Sequence, residues 1–380
     1  MKVIQIVPDI YEESAGPSYS VPASARGLLH NGVDVKLFSV GKMPEWNHFE
    51  YPVLVFPRAE FPLRALARSP QMFRALKEEA QTADILHTNS IWQMPNVYPD
   101  WARRGTKCKF VIGPRGTVSK WAMQRGIWKK LIFGTLFQYP AMRRADMFVA
   151  SCQEEADDIR RLGFVQPIAI VGNGIDVPAS VPYGKASRRR MYFLSRIHPK
   201  KNVELLIRCW SKLEKEFPDW DLSIVGRDVG NDYADEMKRL SKALRCQRIT
   251  FEGEIRGREK ERFMAESECM VLPTHSENFG MVVAESLAWG TPVICSQGAP
   301  WAGLTANGCG WWVPAAEATF MEAMQEAMTK DRKALAEMGQ NGRDWMLCEF
   351  TWDRIGAQLK AAYAWLLGQS DRPSFVQCAR

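Results

Sequence analysis

No stretch of this chain approaches the roughly 18 uninterrupted apolar residues that a membrane-spanning helix needs, and no 20-to-50-residue repeat runs through it. The opening MKVIQIVPDI has one early Lys and then alternates like a strand. It lacks the long apolar core and small-residue cleavage site of an export signal, so a cytoplasmic protein is expected. Cysteine pairing is missing as well. The nine Cys (108, 152, 209, 246, 269, 295, 309, 348 and 378) are odd in number, far apart and without a C-x-x-C pair, which argues against a disulfide framework and a structural metal. Buried reduced thiols are expected instead, since free Cys behaves as a small hydrophobe.

Acidic residues are absent from one long stretch. Between Trp101 and Ala145 stand eleven basic residues (Arg103, Arg104, Lys107, Lys109, Arg115, Lys120, Arg125, Lys129, Lys130, Arg143, Arg144) and no Asp or Glu. Trp121, Trp128, Ile132, Phe133, Phe137 and Tyr139 are interleaved with them. Two readings fit: a face for an anionic membrane surface, or a solvated helix that packs its aromatics inward. Nucleic acid is disfavoured as a partner, because no recognition motif accompanies the charge.

What is present is a globular composition, 46% hydrophobic and 24% charged with a net charge of +7. At 380 residues, two domains are expected. KVIQIVPD, VDVKLFSV, YPVLVFP, ADILHTN, CKFVIGP, ADMFVAS and IAIVGNG read as strands separated by helix-compatible sequence. That pattern favours parallel strands covered on both faces. A Pro/Gly/Ser-rich, basic segment between about Gly174 and Arg190 reads as a linker. Strands then recur as RMYFLSR, DLSIVG, ITFEGEI, CMVLPTH, TPVICSQ and GWWVP, so a second α/β domain follows the first. TWDRIGAQLKAAYAWLLG has apolar residues at helical spacing and stops at Gly368. It caps the second domain or crosses back to the first.

In CMVLPTHSENFGMVVAESLAWG, a short strand, a loop and a helix form a βαβ half. Ligands of open parallel sheets sit beyond the carboxyl ends of strands, where helix-start amides favour negative charge. The turn at Asn278–Met281 can therefore cradle a diphosphate, Gly280 permitting close approach. Glu285 then stands near a ribose, and Glu277 near whatever the diphosphate carries. A surface role for the two carboxylates is the ordinary alternative, set aside here because of the loop, glycine and flanking strands. Arg196 and Lys201, in FLSRIHPKKN after a strand, supply cations for a departing diphosphate or make ordinary surface salt bridges. Gly226 and Gly253, the latter just before Ile255, suit close passage of backbone past a nucleotide or are plain turns.

With these residues in place, the chain resembles the retaining glycosyltransferases of family GT4, the group 1 family with the GT-B fold. ENFGMVVAESLAWGTPVI carries an E-x7-E element as Glu277 and Glu285, and SRIHPKKN resembles the Arg/Lys diphosphate element. VGNGID resembles the motif before the linker, and PRGTVSKWA, GAPW and GCGWWVP look like a bacterial surface-polysaccharide subgroup. The resemblance runs from residue 1 to about residue 368.

It implies an α/β GT-B architecture: two Rossmann-like domains facing a central cleft, with the C-terminal helix crossing back to the N-terminal domain. The acceptor-binding domain is expected at 1–178, with 352–380 packing back on it, and the nucleotide-sugar domain at 186–351. By motif match, Arg196, Lys201 and Glu277 would be catalytic. Gly16, Gly226, Ile255, Asn278, Phe279, Gly280, Met281 and Glu285 would join them in binding the donor. His87, Trp92 and Arg115 are acceptor-binding candidates, a core role being the alternative for His87.

The implied activity is metal- and cofactor-independent hexosyl transfer with retention, from a UDP- or GDP-linked sugar to a lipid-linked glycan in lipopolysaccharide, O-antigen or exopolysaccharide synthesis. Mannose and glucose are favoured, on the inner face of the cell membrane. The alternatives are a GT-B sugar-nucleotide epimerase and a non-catalytic nucleotide- or glycan-binding module. Two departures from the family stand out. The first loop keeps only Gly16 of a usual glycine pair, and Arg115 stands where many relatives carry a His. Arg115 can replace a His that supports the sugar through its carbonyl, but not one that acts as a base, because its pKa stays above about 12.

Overall fold

The computed structural model describes residues 1–11, 16–44, 48–60, 64–123, 127–230 and 232–379, without the side chains of residues 120, 121 and 127–129. Ser14 and Ala15 of the first loop, Arg125, and the side chains of Lys120, Trp121, Trp128 and Lys129 thus fall outside the description. The chain forms two compact units, Met1–Gly174 with Trp352–Arg380, and Ile175–Thr351.

In the first unit, strands β1 (Lys2–Ile6), β2 (Asp34–Val40), β3 (Val53–Phe56), β4 (Ile85–Asn89), β5 (Lys109–Gly113), β6 (Met147–Ala150), β7 (Ile168–Ile170) and β14 (Val376–Gln377) form one sheet. Their order is β14-β7-β6-β5-β4-β1-β2-β3. All pairs are parallel except β14 on β7. In the second unit, β8 (Arg189–Leu194), β9 (Trp220–Val225), β10 (Ile249–Gly253), β11 (Cys269–Leu272), β12 (Val293–Ser296) and β13 (Gly310–Val313) run β10-β9-β8-β11-β12-β13, all parallel. The inner strands are near-continuous apolar runs because helices cover both faces. Cys269–Leu272 and Val293–Ser296 are buried at every position.

The strand order matters for function. Each sheet grows outward from one strand in one direction and then returns to its other side. The reversals fall between β1 and β4 in the first unit and between β8 and β11 in the second. At such a point two successive loops diverge and leave a crevice beyond the strand ends.

The final helix, Trp352–Leu366, completes the first unit. It crosses the Gly16–His30 helix where two glycines meet. A Cβ on Gly27 would lie 2.1 Å from the Trp352 carbonyl oxygen, and one on Gly356 would lie 2.1 Å from the Gly27 backbone. Trp352, Ile355, Leu359, Ala362 and Tyr363 fill the same core as Val3, Val21 and Leu28. The segment after Gly174 belongs to the second unit, and the boundary at Gly174 has a physical cause. The Arg343 guanidinium donates to the carbonyls of Ala288 and Pro178, and the Lys185 ammonium to that of Ser267.

Six of the nine cysteines are buried, Cys246 is half-buried, and Cys348 and Cys378 are exposed. Burial raises the thiol pKa of Cys108 and Cys209 to about 12, far from the thiolate character that makes a Cys reactive.

Candidate functional site

The strongest constellation lies at the β8/β11 crevice of the second unit. Beyond β8 the chain stays pinned to its neighbour: Ser195 N donates to Val225 O at 3.1 Å, and Ile197 N to Arg227 O at 3.0 Å. Arg196 lies between these anchors, is exposed, and makes no ion pair among the described residues. Gly226, at φ +154°, is where these strand ends close on one another. An added Cβ would sit 1.7 Å from Ser195 O, and Gly226 N donates to Gly253 O at 2.6 Å. The Cβ position of Gly226 is therefore filled by protein backbone, which accounts for the glycine without a ligand. Gly253 has φ +73° and open space where a Cβ would go, which suits a turn. Ile255 packs partly buried against the core just beyond it.

The Pro199–Lys201 turn carries Lys201 inward. It is fixed by His198 Nδ1, which accepts from Lys200 N at 3.0 Å, and by Asn202 in the left-handed region. The Lys200 carbonyl accepts from His275 N at 2.9 Å and from Thr274 Oγ1 at 3.2 Å. The loops after β8 and β11 are thus stitched together, so the Lys201 ammonium meets the Glu277 carboxylate in a direct ion pair. Their side chains are only 11% and 13% exposed. Glu277 N is held in turn by Gly298 O at 2.6 Å.

Gly280, at φ +82°, begins the Met281–Ala288 helix. The Phe279 ring turns into the core against Trp301 and Phe350, and its carbonyl accepts from Trp301 Nε1 at 2.5 Å. Phe279 therefore offers backbone, not its ring, to the crevice. The first amides of a helix have no intrahelical partner, and here they begin within three residues of Glu277. Along the helix, Ser286 accepts from the buried Tyr192 hydroxyl at 2.8 Å and donates to Thr291 O at 3.1 Å, which fixes the helix's rotation. Glu285, beside it, receives both 2.8 Å bonds of Lys260 Nζ, a residue that no sequence motif marks.

Six side chains of the first unit form a largely buried polar chain near its β1/β4 crevice. Tyr363 Oη lies 2.6 Å from His87 Nδ1 and 3.2 Å from Gln5 Nε2. Asn89 Nδ2 donates to Gln5 Oε1 at 2.8 Å, and Arg115 Nε to Asn89 Oδ1 at 3.0 Å. The other arm of Arg115 reaches Asn173 Oδ1 at 2.7 Å. His87 is 0% exposed, and burial holds its pKa well below the ordinary value. Its assignment to an acceptor is therefore corrected: it is a neutral core histidine bonded to the last helix. Arg115, at φ +55°, keeps partial exposure. Burial lowers its pKa, an effect opposed by Glu155 and Tyr363.

Trp92 belongs to a different cluster. Its amide donates to Gln138 Oε1 at 3.0 Å, and its ring packs edge-on to Tyr139 under the Lys130 ammonium. Gly16, exposed at the start of its helix, belongs to the first unit, and the other donor candidates belong to the second.

The basic stretch is less charged than its own letters suggest, because the acids sit just outside it. Asp100 binds Arg144 at 2.6 and 2.8 Å and Arg104 at 3.6 Å, and Asp146 binds Arg103 and Lys109. Phe133 and Phe137 turn inward, whereas Leu131, Ile132 and Leu136 are 51%, 62% and 62% exposed. Among the described residues no helix is long and apolar enough to cross a membrane.

Paired loops at a sheet's switch point, a cation, a carboxylate and a helix start together define a Rossmann-type site for a phosphorylated ligand. Comparison with known proteins narrows this class. A model of "Glycosyl transferases group 1" matches residues 183–345, and one of "Glycosyl transferase 4-like domain" matches residues 15–174. The GDP-mannose-dependent alpha-(1-6)-phosphatidylinositol monomannoside mannosyltransferase of Mycolicibacterium smegmatis is 29% identical over 187 residues, 47% of this chain and 48% of the relative. A glycogen synthase of Mycobacterium tuberculosis is 23% identical over 229 residues, 58% and 55% of the two chains. The chain spans about half the length of these curated relatives.

Among solved structures, Anabaena HepE in complex with UDP and glucose superposes with a TM-score of 0.71 at 17% identity, covering 95% of this chain and 98% of that one. Sucrose-phosphate synthase from Thermosynechococcus elongatus gives 0.69 at 19%, covering 97% and 100%. At these identities the likeness establishes the fold, which is GT-B. The chain belongs to the group 1, GT4-type, glycosyltransferases.

Proposed function

We propose that the protein transfers a hexosyl group from a nucleoside diphosphate sugar to a lipid-linked glycan, with retention and without a metal ion, as a step of surface-polysaccharide assembly. The observation that carries this reading is the Lys201–Glu277 pair at the β8/β11 crevice, beside the helix that starts at Gly280. In the proposed reaction the bond from the anomeric carbon to the diphosphate oxygen breaks as the acceptor hydroxyl attacks the same face. The hydroxyl proton passes to the leaving phosphate oxygen. Arg196, Lys201 and the amides of Asn278–Met281 take up the charge that develops on the diphosphate, the role divalent ions fill elsewhere. Glu277 holds the sugar, and Glu285 the ribose. The names of the relatives support a nucleotide-sugar donor: one is GDP-mannose-dependent and another is bound to UDP and glucose.

Exposed Leu131, Ile132 and Leu136 beside Lys130 support attachment to the anionic inner face of the cell membrane. Leu131→Glu combined with Ile132→Glu is then expected to abolish sedimentation with anionic vesicles; full retention speaks against attachment. For the reaction, the protein is incubated with UDP- and GDP-hexoses, detergent-extracted glycolipid and a chelator, and the products are weighed by mass spectrometry. One added hexose and free nucleoside diphosphate are expected. A donor isomerised without transfer would favour an epimerase, and an untouched donor a binding module.

A further inference from the structure

Lys260 is a charged side chain beside Glu285 that no motif accounts for. It lies in the second turn of the Gly257–Glu266 helix, and its Nζ stands 2.8 Å from both oxygens of Glu285. A salt bridge on open surface contributes little to stability and fluctuates among geometries. This one is symmetric, and its partners are only 25% and 21% exposed. The carboxylate it grips is borne by a helix whose rotation the buried Tyr192–Ser286–Thr291 relay fixes. A carboxylate has about four lone-pair directions. Lys260 takes one on each oxygen, which leaves one on each for a second ligand that presents two adjacent donors.

We propose that Lys260 is a positioning residue for the nucleotide: it sets the plane of the Glu285 carboxylate so that the two remaining lone pairs receive the vicinal 2′- and 3′-hydroxyls of a ribose. The inference rests on the donor reading above. Its consequence is specificity, because a 2′-deoxyribose leaves one of the two oriented lone pairs unfilled.

The test compares the affinity of UDP, GDP and their 2′-deoxy forms by calorimetry for the wild type, Lys260→Met, Lys260→Gln, Lys260→Arg and Glu285→Gln. The wild type is expected to favour the ribose form about tenfold or more, as befits a hydrogen bond to a charged group. Lys260→Met and Lys260→Gln are expected to reduce that preference to about twofold or less with melting temperature nearly unchanged. Lys260→Arg should restore most of it, and Glu285→Gln should abolish it. A ribose preference undiminished in both neutral Lys260 variants overturns the inference, and so does a wild type that binds ribose and deoxyribose forms equally; both leave the donor reading intact. Failure of every nucleotide to bind the wild type overturns the donor reading and takes this inference with it.

Discussion

Replacing Glu277 by Gln should make the protein less stable, less active and yet a tighter binder of free nucleoside diphosphate. The pair it forms with Lys201 is almost nine-tenths buried on both sides. Removing one partner of such a pair costs about 3 kcal/mol, because the other charge loses its counter-ion. The same change removes a negative charge from the place where a diphosphate is to be received. At a separation of about 6 Å and an effective dielectric of about 20, one unit charge is worth roughly 2.8 kcal/mol, or about a hundredfold in affinity. Screening at the open side of the crevice reduces this, so tightening between about tenfold and a hundredfold is expected. Lys201, released from Glu277, is then free to turn to the phosphates. Hexosyl turnover should fall about a hundredfold or more, since an amide does not stabilise positive charge at the anomeric carbon. Calorimetric titration with UDP and GDP at two salt concentrations reads the first effect, thermal unfolding the second and product release the third. Unchanged or weakened diphosphate affinity in Glu277→Gln would refute the reasoning, because Lys201 would then not be the group that receives the phosphates.

Gly27→Ala is expected to cost roughly 3 kcal/mol, since its methyl would fall 2.1 Å from the Trp352 carbonyl; thermal unfolding together with loss of amide protection in the 352–366 helix measures it. His30 lies between Glu50 and Asp353, which raise its pKa above 6.5. Its stabilising contribution, on the order of half a kcal/mol for so exposed a cluster, is complete below about pH 6.5 and lost as pH rises through the raised value. Proton NMR titration should place the His30 midpoint above 6.5 and move it down in Glu50→Gln; a midpoint at or below 6.5 contradicts the pairing.

The alternation of apolar runs with helical segments made both parallel sheets legible, because a buried parallel strand leaves a continuous apolar signature that a loop cannot imitate. Arg196, Lys201, Glu277 and Gly280 could be picked out as candidates for a related reason: each sits within eight residues of a strand's carboxyl end. Lys260 was not, since its partner lies 25 residues away on another helix and nothing in REKER marks it. His87 was misjudged because its partner, Tyr363, is 276 residues distant. The charge of residues 101–145 was overestimated because Asp100 and Asp146 stand one residue beyond its ends. Gly226 illustrates a further limit, as a glycine needed for protein backbone reads the same as one needed for a ligand.

The crossing of Gly27 and Gly356 has a consequence for biosynthesis. Residues 352–380 supply a structural wall to the unit that the ribosome makes first. That unit must wait, with Val3, Val21 and Leu28 uncovered, until residues 352–380 have been made, while the segment between can close its own core sooner. A nascent chain stalled before Trp352 would expose the uncovered face of the first sheet, and removing residues 352–380 should harm the first unit more than the second.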